Sequence, residues 1–161
     1  MKFGQHYCEW TIIKQGSKYS PWLGIVRPSF DPTSGQAGKD TLSREHCFYA
    51  SVTGNIYPKN VWPVPKLDVY SASEAKATAG DCVGLLLDLD KGSLTVFKNY
   101  RRIGDIVTHG LHGSFCWCAD LGHSGVAVRL SENRVSPWQF NSEPGRGAVA
   151  QEQPLEGIPP S

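Results

Sequence analysis

Apolar and polar positions alternate most regularly in the middle of the chain. From Gly80 to Gly104 the sequence runs GDCVGLLLDLDKGSLTVFKNYRRIG, and Val83, Leu85, Leu87 and Leu89 alternate with Gly84, Leu86, Asp88 and Asp90. This is the period of a strand buried mainly on one face. Asp90-Lys91-Gly92-Ser93 is a turn cluster, and Leu94, Val96 and Phe97 open a second β-rich run. Asn99 to Arg102 reads as another tight turn before Ile103 and Ile106-Val107. Leu85, Leu87, Leu94 and Phe97 are the expected core residues of this hairpin.

Similar short runs recur along the chain. The pattern predicts strands over Tyr7–Lys14, Leu23–Val26, Cys47–Ser51, Asp81–Leu89, Leu94–Lys98, Ile103–Val107, Ser114–Ala119 and Gly125–Leu130. Around the strand over Ser114–Ala119, Phe115, Trp117, Ala119 and Leu121 face one way and Cys116 and Cys118 the other, which predicts burial on both faces. Helical periodicity nowhere exceeds about one turn; the sole candidate, Ala72–Ala79, is weakened by its Ser and Thr. Short strands separated by turn residues point to a sandwich rather than a parallel α/β sheet. Seventeen Gly and eleven Pro support that choice, since they favour turns over helices.

A length of 161 residues suits one domain with its own core. After Ser136 the composition shifts to Pro, Gly and Gln with little to bury, so the domain is expected over 1–141 and a disordered tail over 142–161. Trp138 and Phe140 are expected to pack back on the domain. The formal net charge is +1, with no basic run longer than Arg101-Arg102, which argues against nucleic acid as a partner. No stretch approaches the ~18 apolar residues of a membrane span, and the N-terminus lacks the apolar run of a signal peptide. Five Cys at irregular spacing then fit a reducing compartment, so a cytoplasmic protein with free thiols is expected.

Motifs that would carry chemistry fail on spacing. His109, His112, Cys116, Cys118 and His123 are metal-ligand types, but no second Cys pair closes a tetrahedral set. Gly122-His123-Ser124-Gly125-Val126 lacks the last Gly of a nucleophile elbow, and a strand follows it. Gly35 to Thr41 lacks the first Gly of a phosphate loop and has Asp40 where Ser or Thr must follow Lys39. The acids of Asp88-Leu89-Asp90 stop short of a calcium loop, whose twelfth position here is Asn99. The expectation is no catalytic residue, no metal and no cofactor.

The hairpin also resembles a known family. SPRY (B30.2) domains carry a "GD-hydrophobic-G-hydrophobic-x-hydrophobic-D" strand that turns over a Gly corner into a "hydrophobic-x-F-x-K-N" strand. Gly80, Asp81, Val83, Gly84, Leu85, Leu87, Asp88, Gly92, Leu94, Phe97, Lys98, Asn99 and Gly104 are similar to it. Gly4 to Ile12 resembles the family's "G-x-H-Y-W-E" strand, with Cys8 where Trp is usual. Trp22 to Val26, Phe48 to Tyr57, Gly113 to Leu121 and Val126 to Leu130 resemble further strands in the family's order, so the likeness spans roughly residues 4–131. It implies an all-β fold, a concanavalin A-like jelly roll of two antiparallel sheets. Family members usually carry strands before the "HYWE" strand, whereas only Met1-Lys2-Phe3 precede it here; if those strands are absent an exposed sheet edge is left, and the expectation is either an edge-strand dimer or a truncated product of marginal stability.

The resemblance implies a non-catalytic module that binds a peptide segment or protein surface through its loops. Tyr57, Trp62 and Tyr70 are the aromatics least suited to the sheet core, and Arg101 and Arg102 sit at a hairpin tip. Tyr, Trp and Arg are the residue types that most often carry interface energy. These five are the candidate partner-binding residues. The alternative is a carbohydrate-binding, lectin-like sandwich, which predicts exposed aromatics on a concave sheet face, usually with acids.

Overall fold

The computed structural model describes residues 1–16, 20–31, 33, 45–57, 72–122 and 125–131. They form strands β1 (Gln5–Lys14), β2 (Trp22–Val26), β3 (His46–Ala50) and β4 (Asn55–Tyr57), then one helical turn α1 (Ala72–Ala75). Strands β5 (Cys82–Asp88), β6 (Ser93–Lys98), β7 (Arg101–Val107), β8 (Cys116–Asp120) and β9 (Ala127–Leu130) follow. One sheet has the order β7-β6-β5-β1-β9 and the other β4-β3-β2-β8. All pairs are antiparallel. The molecule is therefore the two-sheet, all-β sandwich that the alternation predicts. The boundary near 141, the tail over 142–161, Trp138 and Phe140 lie outside the described residues.

The core lies between the sheets and follows the alternation. Cys8, Trp10 and Ile12 of β1 and Val83, Leu85 and Leu87 of β5 face Leu23, Ile25, Cys47 and Tyr49 of the second sheet. Trp10 meets Trp117 of β8 edge to face, with centroids 5.9 Å apart. At about 25 cal/mol per Å² of apolar surface, this layer is the main source of stability. Ala75 and Ala77 join it; α1 stops after one turn, as its Ser and Thr lead one to expect.

Two expectations need correction. Phe97 is buried but does not belong to the cluster between the sheets. Its side chain lies on the outer face of the five-stranded sheet beneath Tyr7, edge to face with centroids 6.2 Å apart. Parity requires this, because Leu94 and Val96 already point inward. Among the described residues β8 is not covered on both faces: Cys116 is exposed and Cys118, on the same face, is only half-buried. Strand β1 lies inside its sheet between β5 and β9. The Met1 ammonium donates to the Phe115 carbonyl at 3.0 Å, and the Phe115 amide donates back to the Met1 carbonyl at 3.0 Å.

Candidate interaction surface at the β6–β7 hairpin

The loop between β5 and β6 shows why these hairpins hold their shape. Asp88 closes β5 with its carboxylate turned back into the loop, where Oδ1 accepts from the amides of Asp90 (3.1 Å) and Lys91 (3.0 Å). Oδ2 accepts from Gln5 Nε2 at 2.7 Å, tying the turn to β1. Burial pushes this carboxyl up. The Lys91 amide, Gln5, the Lys91 charge and the Asp90 amide together outweigh burial and hold it below the usual carboxylate range. The acids that faintly resembled a calcium loop are a side-chain-capped turn.

At the other end of β6, only Asn99 and Tyr100 separate Lys98 from its partner Arg101. Both have positive φ, 49° and 65°, the sign pattern of the two-residue turn that matches strand twist. Asn tolerates this conformation; Tyr does so at a cost of roughly 1 kcal/mol or more. Asn99 holds the turn in place. Its amide donates to Cys82 O at 2.8 Å, its Oδ1 accepts from the Cys82 amide at 2.8 Å, and its Nδ2 donates to Asp81 Oδ1 at 2.8 Å. The over-determined turn leaves Tyr100 62% exposed, with Arg101 and Arg102 exposed beside it.

The two arginines differ in surroundings. Arg102 Nη2 donates to Asp105 Oδ1 at 2.8 Å, and the same oxygen accepts from Thr95 Oγ1 at 2.6 Å. Arg101, Arg102, Lys98, Asn99, Ile103 and Glu74 line a depression of about 300 Å³ on one side of the tip. Lys98 ties it to the residue directly after α1 by donating to Lys76 O at 2.5 Å.

On the other side of the tip, a groove of about 460 Å³ runs along the outer face of the five-stranded sheet. Gln5, Asp88, Thr95, Phe97, Tyr100 and Asp105 are among its lining residues. Tyr7 covers Phe97 and donates to Glu9 Oε2 at 3.0 Å. Burial, then the Glu9 carboxylate, pushes the Tyr7 hydroxyl well above the ordinary phenol range. Gly84 lies under that hydroxyl, where a Cβ would overlap it. Burial, then Glu9, pushes the Cys82 thiol up to about 12, and burial alone does the same for Cys47. Such thiols are poor nucleophiles. All five cysteines are free, and among the described residues no group of three His, Cys, Asp or Glu could hold a metal ion.

Of the residues singled out from sequence, Arg101 and Arg102 come together at the tip. Tyr57 ends β4 opposite Phe48 in the other sheet; Trp62 and Tyr70 lie outside the described residues. Sequence reasoning passed over Tyr7 and Tyr100. The signal for Tyr7 was parity, since Cys8 and Trp10 point inward; for Tyr100 it was its place directly after a turn-forming Asn.

No protein-family model matches the chain, and no curated protein matches it in sequence. Among solved structures, it is similar to the crystal structure of the SPRY domain of human HERC1. The match has a TM-score of 0.61 at 16% identity and covers 81% of this chain and 76% of that one. This chain has the SPRY fold. The SPRY-like order of motifs is thus matched by a SPRY-like path through space, although few of the individual residues are shared. Among the described residues, no helix of this SPRY-like sandwich is long and apolar enough to cross a membrane.

Proposed function

We propose that this SPRY-like sandwich is a non-catalytic protein-interaction module that grips a peptide segment or protein surface with the β6–β7 tip and neighbouring loops. The observation that carries this reading is the tip itself. A bulky aromatic is held at positive φ and 62% exposed, pinned by three hydrogen bonds through Asn99. Strain retained at an exposed, rigid position is typical of binding sites. A rigid anchor also loses little entropy on association. Arg101 supplies a fork of donors for a carboxylate or carbonyl of the partner, and Arg102 extends it. Tyr57, Trp62 and Tyr70 belong to the same proposal, with Trp62 and Tyr70 in the connection between β4 and α1. Five free thiols fit a cytoplasmic setting.

The test is affinity capture from lysate with identification of bound proteins, followed by titration of one partner with purified variants. Tyr100→Ala/Arg101→Ala is expected to lose about tenfold or more in affinity, the range of a hot-spot truncation. Unchanged affinity in that variant and in Trp62→Ala would overturn the reading.

Carbohydrate binding is the second reading, favoured by the outer-face groove, where Tyr100 and Phe97 stand near Asp88 and Asp105. Against it, Asp88 is engaged with Gln5 and two backbone amides, and Asp105 with Arg102 and Thr95. A glycan array separates the two: specific sugar capture abolished by Tyr100→Ala would favour this reading over the first.

A further inference from the structure

Three cations, Lys98, Arg101 and Arg102, line the depression of about 300 Å³ beside the β6–β7 tip, against one acid, Glu74. In a chain of net charge +1 this is a local excess of positive charge. Two of the three cations are already matched by acids outside the lining. Lys98 Nζ lies 3.6 Å from Asp81 Oδ2, and Arg102 Nη2 lies 2.8 Å from Asp105 Oδ1. Arg101 is different. It is exposed, and its five N–H donors meet no acceptor among the described residues, Glu74 included.

The lining narrows what can meet that guanidinium. A space of this size is at the lower limit of small-molecule pockets, so it suits one side chain of a larger partner rather than a whole ligand. Ile103 adds apolar surface for an aliphatic stem. Asn99 is committed to the Cys82 amide and to Asp81. The planar fork of Arg101 matches both oxygens of one carboxylate. Glu74 repels any anion on the lining, and repels a phosphate dianion about twice as strongly as a carboxylate. Arg101 pairs with Lys98 across the two-residue turn that Asn99 fixes, so its backbone loses little freedom on binding.

We propose that the depression receives the carboxylate of an Asp or Glu side chain, so that the segment gripped by the tip is an acidic peptide; this rests on the binding role proposed for the tip. Arg101 takes both carboxylate oxygens. Lys98 and Arg102 add attraction without giving up Asp81 and Asp105. Ile103 packs against the stem, and Glu74 sets a preference for one negative charge over two. Tyr100 lines the groove on the other side of the tip and not this depression. The acid preference and the aromatic anchor can therefore be tested apart.

The test is selection from a phage library of random peptides, panned against the full chain and against its Arg101→Ala variant. Arg101 is exposed, and melting curves check that the variant keeps the fold. Peptides selected by the unaltered chain are expected to carry an acid at one position, and those selected by Arg101→Ala to lack that preference. The best peptide is then synthesised and titrated. Replacing its acid by the amide is expected to weaken binding to the unaltered chain roughly fivefold or more, and to Arg101→Ala by less than about twofold. Replacing the acid by phosphoserine is expected to bring no gain, and Glu74→Gln to shift the balance toward phosphoserine. Peptides that need Tyr100 but show no acid preference and tolerate Arg101→Ala overturn the acidic partner while leaving the tip as a binding site. Tighter binding of the phosphoserine peptide to the unaltered chain overturns the preference for a carboxylate. No selected peptide, or peptides indifferent to both Tyr100→Ala and Arg101→Ala, overturns the role of the tip and the acidic partner together.

Discussion

Tyr100 shows what a single side chain can cost and return. Its positive φ of 65° is one that glycine adopts freely and tyrosine does not. Tyr100→Gly is expected to raise unfolding free energy by roughly 1 kcal/mol through relief of that strain, while weakening capture of the partner. Urea unfolding and a binding titration on the same protein check both halves. A variant that is destabilised, or that binds as before, removes the argument for the tip. Gly84 is the converse case. A methyl group there overlaps the Tyr7 hydroxyl, so Gly84→Ala is expected to displace Tyr7 from Phe97 and cost roughly 1–3 kcal/mol, read as a drop in the urea midpoint. Neither role is visible in composition. The Gly80–Gly104 pattern predicts a glycine at position 84, but the reason for it sits 77 residues away in β1, in the register that pairs Glu9 with Gly84.

The elements were the most legible part of the chain. The strand expected over Asp81–Leu89 spans Cys82–Asp88, and that expected over Tyr7–Lys14 spans Gln5–Lys14. Alternation and turn residues are local properties of the backbone, so a local pattern suffices to find them. The same hairpin carries a prediction. Asp88 accepts hydrogen bonds from Gln5, Asp90 and Lys91 within a nearly buried site, so Asp88→Ala frees buried donors and is expected to cost about 2 kcal/mol. Hydrogen exchange at the β5–β6 turn and at Gln5 of β1 should accelerate together, because one side chain ties both. Two element readings failed where neighbours decide the outcome. Phe97 has its own covered site on the outer face, built by Tyr7 from another strand. The outward face of β8 lacks, among the described residues, the cover that its apolar sequence led one to expect: Cys116 is exposed and Cys118 only half-buried.

The whole molecule is expected to lose stability in two separate acid ranges. His46 is fully buried beside Phe30 and Phe48, and burial lowers its pKa while the Glu45 carboxylate opposes the shift. The unfolded chain then binds a proton more readily than the folded one, so stability declines as pH falls below ~6.5 and levels off below the folded pKa. Asp81 and Asp88 have folded pKa values below the ordinary carboxylate value. Their contribution is present above ~4 and is lost as pH drops through the folded values. Thermal melts from pH 8 to pH 2 should show both declines, and His46→Phe should flatten the upper one alone. The alternation along the chain was enough to establish the strands, the turns between them and a two-sheet sandwich, because a period of two dictates which face each side chain takes. It could not establish which strands are neighbours. That β1 lies between β5 and β9 and that Asn99 is held by Asp81 and Cys82 both depend on contacts between distant residues. Those contacts form only once hydrophobic burial has closed the two sheets on each other, and the proposed binding tip belongs to that level.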